Sequence, residues 1–316
     1  MPMQLRELFP FLALRRAGFH ARFRRPKMAR RALRAALSLR LQNTFIRRDD
    51  DAAEDDISDK RGSRNNMNMT TTTAVTAAND FSTRSQERVR TIDWESVARN
   101  LDARGNAVIE NLLSARDCDA ISQLYDEDVF RSRVVMGRHG FGKGEYQYFR
   151  YPLPAVVAGM RAALYPHLAP VANRWTTSMR IDVQYPAHHA DFIARCHAAG
   201  QCRPTPLLLR YTTDDYNCLH QDLYGEHVFP LQLAILLSEP GRDFTGGEFV
   251  LTEQRPRMQS RPEVVPLRKG DAVVFAVHRR PVQGARGVYR VNMRHGVSRL
   301  RSGRRHTLGI IFHDAK

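Results

Sequence analysis

Cysteine is scarce: Cys118, Cys196, Cys202 and Cys218 are the only four in 316 residues, and none forms a C-x-x-C pair. A disulfide framework and a C-x-x-C zinc site are thereby excluded, and reduced thiols are expected. Long apolar runs are missing too. None approaches the ~18 residues of a membrane span, so no membrane partner and a cytoplasmic location are expected. Serine is nearly absent from the start, with Ser38 alone before position 57, and no apolar h-region suggests a secretory signal. No internal repeat is visible.

Acidic residues are also absent where basic ones crowd. Residues 1–48 carry 13 Lys+Arg against the single acid Glu7, whereas residues 49–59 (DDDAAEDDISD) hold seven acids and no base. From 65 to 254 the balance is about −4, and from 255 to 316 it is +12 (15 basic, 3 acidic). The net charge of +16 therefore has two separate sources. The Arg-rich start has the composition of an organelle transit peptide. The simpler expectation is an extension outside the folded protein, with the native start at Met67 or Met69.

Residues 1–66 read as this basic and acidic extension, and 67–90 as a polar linker with no periodicity able to bury a face. Helical spacing begins near 91. Asp93 can cap WESVARNLDARG, which Gly105 ends, and Ser114 opens SARDCDAISQLYDEDVF. A further helix is expected within 153–175. After 203 the texture changes to short strands rich in β-branched and aromatic residues: 207–212, 231–238, 247–253, 271–277, 289–297 and 306–313. Turns bearing Gly or Pro separate most of them, which argues for an antiparallel sandwich or barrel. The expected fold is mainly β with α. A helical layer over 91–202 would pack on a jelly-roll core (double-stranded β-helix) over 203–316.

In YNCLHQDLYGEH (216–227), His220 and Asp222 stand two apart beside an apolar run. The pair alone says little, because His189 and Asp191 repeat it in AHHADFIARCHAAG. Setting separates them. Residues i and i+2 of a strand share a face, whereas in a helix they diverge by about 200°. His220 and Asp222 can therefore converge on one ion, and 189/191 reads as a surface pair. A 2-His-1-carboxylate iron site needs one more histidine on a nearby strand. His295, in NMRHGVS, is the candidate. Arg305 follows ten residues on, and a hairpin near 300–302 would set it opposite His295. Thr307 would share its face, while Leu308, Ile310 and Phe312 would enter an apolar layer. Arginine suits bidentate capture of a carboxylate.

His220-x-Asp222, His295 and Arg305-x-Thr307, in this order on short strands, resemble the Fe(II)/2-oxoglutarate-dependent dioxygenases, most closely their prolyl 4-hydroxylase-like branch. Gly246-Gly247-Glu248-Phe249 and Gly270-Asp271 resemble that family's turns, and the likeness covers roughly 205–313. It implies catalytic Fe(II) on His220, Asp222 and His295, with 2-oxoglutarate and O2 as cosubstrates and ascorbate as a reductant. It also implies Arg305, Thr307 and Tyr211 as the cosubstrate-binding residues. The implied reaction hydroxylates a C–H bond and releases succinate and CO2.

Small molecules, amino acids and protein side chains are the expected substrates. Nucleic acid is the alternative, favoured by the basic C-terminal third, though only RLRSGRR, and no Asn-x-x-x-x-Arg run, follows His295. A cupin-like binding protein without catalysis is the third reading. GRHGFGKG (137–144) almost spells a phosphate-binding loop, but Gly144 replaces the needed Ser/Thr and no helix follows. It reads as a flexible loop or lid placing Arg138, Lys143, Tyr148 and Arg150 near substrate. Tyr224 to His227, His227 among them, read as the rim of the site. Leu219 and Leu223 are expected to pack beneath the triad, and the remaining C-terminal arginines to be solvated.

Overall fold

The computed structural model describes residues 87–316. The terminal extension, the alternative start sites and most of the linker lie outside these residues.

Helix α1 (Trp94–Arg104) begins where the Ser96 N–H donates to Asp93 Oδ1 at 2.9 Å, and it ends at left-handed Gly105. Ser114 and Asp117 form a reciprocal capping box on α2 (Ala115–Gln123). Two more helices follow, α3 (Ala155–Ser178) and α4 (His189–Ala198). Where a helical layer is expected over 91–202, the structure adds four strands: β1 (Asn106–Ile109), β2 (Phe130–Val135), β3 (Gly142–Lys143) and β4 (Glu145–Phe149). They extend the sheets at their edges. Charged and polar residues interrupt β2, at the edge of its sheet, and β4 beside it; an edge strand has less apolar surface to bury.

Then come β5 (Leu207–Tyr211), β6 (Tyr216–His220), β7 (Leu231–Leu236), β8 (Phe244–Gly246), β9 (Phe249–Gln254) and β10 (Ser260–Val265). The chain closes with β11 (Ala272–Ala276), β12 (Arg279–Gly284), β13 (Gly287–Val297), β14 (Leu300–Gly303) and β15 (Arg305–Ile310). A seven-stranded antiparallel sheet runs β1-β11-β7-β15-β5-β4-β2. A six-stranded sheet runs β10-β9-β13-β6-β3, with β12 also paired to β13, and β14 pairs with β8. This is the expected jelly roll.

Alternation along the strands separates two cores. On β7, Leu231, Leu233 and Ile235 join the helices, whereas Ala234 and Leu236 face the space between the sheets. β11 repeats the rule, with Ala272, Val274 and Ala276 on the helix side and Val273 and Phe275 inside. Strands covered on both faces need apolar residues at nearly every position, which is why 233–237 and 272–277 read as unbroken runs. Phe249 meets Phe275 across the sandwich at 5.0 Å between ring centroids. Leu308 and Ile310 lie in the helix-side core, so Arg305 and Thr307 must point between the sheets. Among the described residues no helix is long and apolar enough to cross a membrane.

Candidate active site

The site lies between the sheets where β6 ends. His220 and His295 are direct partners on antiparallel β6 and β13, with ring centroids 4.1 Å apart. Two residues further along β13, Val297 pairs with Asn217 rather than Cys218, so β6 carries one extra residue. This bulge brings Asn217 and His220 to the inner side although they are three apart. It also corrects one expectation: Leu219 does not pack beneath the site but is turned outward, 42% exposed. Strand pairing stops at His220, so Asp222 sits on extended chain just past the strand rather than within it. The two side chains still converge.

His220 Nε2 lies 3.5 Å from Asp222 Oδ1, and His295 Nε2 lies 3.3 Å from Asp222 Oδ2. Donor atoms of all three lie within 4.8 Å of one another. Ligands at adjacent corners of an octahedron with bonds of roughly 2.1 Å stand about 3 Å apart, so one ion fits with modest adjustment. His220 Nδ1 is 2.8 Å from the Cys218 carbonyl. A carbonyl only accepts, so that nitrogen carries the proton and the Nε2 lone pair is free for a metal. Burial, then the His220 ring, pushes the His295 imidazolium down to about 4, against the pull of Asp222. It is neutral at pH 7, as a ligand must be. Burial alone would raise the Asp222 carboxyl, but His220, His295 and the Gln232 amide outweigh it and hold it well below the usual carboxylate range.

The sequence places Tyr224 only on the rim and does not mark Gln232 at all, yet both touch Asp222. Gln232 Nε2 donates to Asp222 Oδ2 at 2.7 Å and stands 3.2 Å from His295 Nε2. Tyr224 donates its hydroxyl to Asp222 Oδ1 at 2.7 Å, and Tyr148 donates to Tyr224 at 3.1 Å. The available signal for Gln232 is a lone polar residue inside LQLAILL, in phase with the inward positions of β7.

Arg305 and His295 are not on one hairpin. β15 belongs to the seven-stranded sheet and β13 to the six-stranded one, while β14 leaves to pair with β8. The two residues instead face each other's sheets across the sandwich interior. Arg305 is 2% exposed, its Nη1 donates to Thr307 Oγ1 at 2.5 Å, and its Nε has no hydrogen-bond partner. Its guanidinium makes no ion pair among the described residues. Burial pushes its pKa down to about 10, opposed by Tyr211 and Glu248. Arg305 pairs across the strands with Tyr211, whose ring centroid is 5.5 Å from the guanidinium carbon. The Tyr211 hydroxyl is buried beside the Asn217 side chain without meeting hydrogen-bond geometry. Gly247, at φ +64°, makes room: a Cβ there would stand 3.1 Å from Arg305 Cδ and collide with Leu300.

A buried arginine without a counter-ion is costly, and the unpartnered Arg305 Nε and Tyr211 hydroxyl are donors of the kind a carboxylate satisfies. The residues present thus fit both groups: a His-His-Asp donor set of the type that holds non-haem Fe(II), and a cationic cradle for a dicarboxylate's far end.

The other sequence candidates fall elsewhere. His189 and Asp191 lie on helix α4, as expected, but only Asp191 is exposed; His189 bonds the Phe312 carbonyl at 2.8 Å and packs on Tyr165. Residues 137–144 do not hang free. The Met136 N–H donates to the Gly144 carbonyl, and the Cys218 N–H to the Phe141 carbonyl, which ties the loop to β6. Arg150 is engaged by Asp128 at 2.8 Å. The His227 N–H donates to Gln201 Oε1 at 2.8 Å. Arg280, expected to be solvated, is 2% exposed and paired with buried Glu253.

A family model described as an oxygenase, catalysing oxidative methylation of damaged DNA, matches residues 144–315. Uncharacterized proteins from two strains of Mycobacterium tuberculosis are 50% identical over 167 residues, 53% of this chain and 72% of theirs. An oxidoreductase of the 2OG-Fe(II) oxygenase family from Burkholderia pseudomallei aligns with 71% of this chain and 93% of its own, at 17% identity and TM-score 0.44. A Pseudomonas putida prolyl-4-hydroxylase aligns over 71% and 99%, at 14% identity and TM-score 0.41.

Proposed function

Because this chain belongs to the oxygenase family whose model spans residues 144–315, we propose that it is an Fe(II)- and 2-oxoglutarate-dependent dioxygenase acting on methylated bases of nucleic acid. The observation that carries the cofactor assignment is the pairing of the His220–Asp222–His295 cluster with the buried, counter-ion-free Arg305. The family's description and the charge of +12 over 255–316 support the substrate class.

Bound at His220, Asp222 and His295, iron with 2-oxoglutarate supplies the power to oxidise an unactivated C–H bond using O2. The chain supplies placement. Arg305 and Thr307 hold the distal carboxylate of 2-oxoglutarate, and Tyr211 lines its channel. Gln232 and Tyr224 hold the Asp222 carboxylate by one oxygen each, fixing its direction. Phe249 and Phe275 flank His295 and exclude water from its rear. For an N-methyl base the balance is N–CH3 + O2 + 2-oxoglutarate → N–CH2OH + succinate + CO2. The carbinolamine then releases formaldehyde and restores N–H.

The test is conversion of a single-stranded oligonucleotide carrying an N-methylated base, with succinate and formaldehyde read together. Succinate formation with no loss of methyl would leave the cofactor assignment standing and remove the substrate. One observation keeps a second reading, hydroxylation of a small molecule or protein side chain. The residues after His295 run RLRSGRR and lack the Asn-x-x-x-x-Arg spacing of the alkylation-repair type.

A further inference from the structure

β3 is the edge of the six-stranded sheet and pairs with β6, the strand that ends at His220. The register runs Lys143–Tyr216, then Gly142–Asn217, and the Cys218 N–H to Phe141 carbonyl hydrogen bond of 2.8 Å continues it by one step. Directly opposed residues of an antiparallel pair share a face. Asn217 faces inward beside Tyr211, so Phe141, Lys143, Tyr216 and Cys218 share the outer face. Leu219, displaced by the bulge, joins them.

Three of the nine exposed large hydrophobic side chains among the described residues gather here: Phe141 (38%), Tyr216 (40%) and Leu219 (42%). Such clustering on the strand that ends at His220, and on its neighbour β3, marks a contact surface rather than scatter. Phe141 is stacked by His139 at 5.4 Å, so its ring is held in place. The backbone beneath is fixed as well. Gly142 adopts φ +133°, and a Cβ there would come within 2.3 Å of the Tyr216 carbonyl oxygen. Basic groups border the patch. Arg138 and Arg294 are exposed and make no ion pair among the described residues, and Lys143 faces Asp215 at 3.7 Å. Arg294 adjoins His295 in sequence, and Arg138 lies in the turn that leads into Phe141.

Rings flanked by cations at a sheet edge have the chemistry of a single-stranded nucleic-acid seat: bases stack on aromatic faces while phosphates meet arginine and lysine. We propose that this edge, Phe141 and Tyr216 with Arg138, Lys143 and Arg294, seats the nucleotides that flank the reacting base. The proposal rests on the nucleic-acid reading above and deepens it by assigning the strand's path. The nearly phosphate-binding sequence GRHGFGKG thereby acquires a role: it presents a ring and two cations, with its glycines allowing close approach to β6.

The experiment uses the full chain and a fluorescently labelled single-stranded oligonucleotide with one N-methylated base, read by anisotropy across a salt series. Phe141→Ala and Tyr216→Ala each weaken binding about tenfold. Tyr216→Trp retains it. Arg138→Ala lowers the slope of log affinity against log salt by about 0.7. Met258→Ala, an exposed apolar side chain elsewhere, changes nothing. Thermal unfolding of each variant controls for folding. If the wild-type chain binds and demethylates the oligonucleotide while the alanine variants bind equally well, the seat is wrong and the function stands. If the variants change the oligomeric state with affinity unaltered, the patch is an interface between copies, and the proposal is overturned. If the wild-type chain does not bind even at low salt, the nucleic-acid reading falls with it.

Discussion

His220 and His295 form one cross-strand pair, their rings 4.1 Å apart, with Asp222 closing the triangle from beyond the strand end. Two imidazoles this close gain little from each other without an ion between them and the carboxylate. Replacing Asp222 with Asn leaves the geometry but removes the anion. The Asp222→Asn variant should bind Fe(II) at least tenfold more weakly in an anaerobic titration; equal affinity would show that the carboxylate is not a ligand.

Gln232 is the outer support of that triangle. Gln232→Leu removes the amide that holds Asp222 Oδ2 while preserving an apolar strand position. Fe(II) affinity should fall about 10- to 100-fold, as for other partners that orient metal ligands. An unchanged affinity would make Gln232 a simple filler of the sandwich.

Arg305 gives a sharper contrast. An unpaired buried charge costs stability, which an apolar replacement of similar volume relieves. Arg305→Met should therefore raise the thermal midpoint of the cosubstrate-free protein and weaken 2-oxoglutarate binding at least tenfold. If the variant is destabilised while 2-oxoglutarate affinity is kept, Arg305 is structural.

Acid should destabilise the fold before any carboxylate titrates. Burial pushes His189, His278 and His306 down to about 4, and His313 to about 3. Unfolded histidines titrate near 6.5, so between about pH 6.5 and 4 the unfolded chain binds more protons than the folded one. The histidine contribution is thus complete above pH 6.5 and is lost as pH falls through this window. The thermal midpoint of the metal-free protein should drop steadily from pH 7 to 5; a flat profile would contradict the buried neutral histidines.

Much of the fold is legible in the sequence. Six strand runs, the caps at Asp93 and Ser114, and the spacing of His220, Asp222 and His295 follow local rules of period and capping. What escaped depends on pairing between distant segments. The bulge that turns Leu219 outward exists only in the register of β6 against β13. Arg305 lies across the sandwich from His295 because β14 pairs with β8, a partner some 55 residues earlier in the chain. Edge strand β2 and its neighbour β4 lack the apolar density that marks central strands, and the cover of His189, Phe312, comes from the far end of the chain.

The most direct test is anaerobic addition of Fe(II) and then 2-oxoglutarate, followed by O2 and measurement of succinate. The account predicts saturable binding of both and oxygen-dependent succinate release, each lost in His220→Ala, Asp222→Ala and His295→Ala. Binding and succinate release that persist in all three variants would contradict it.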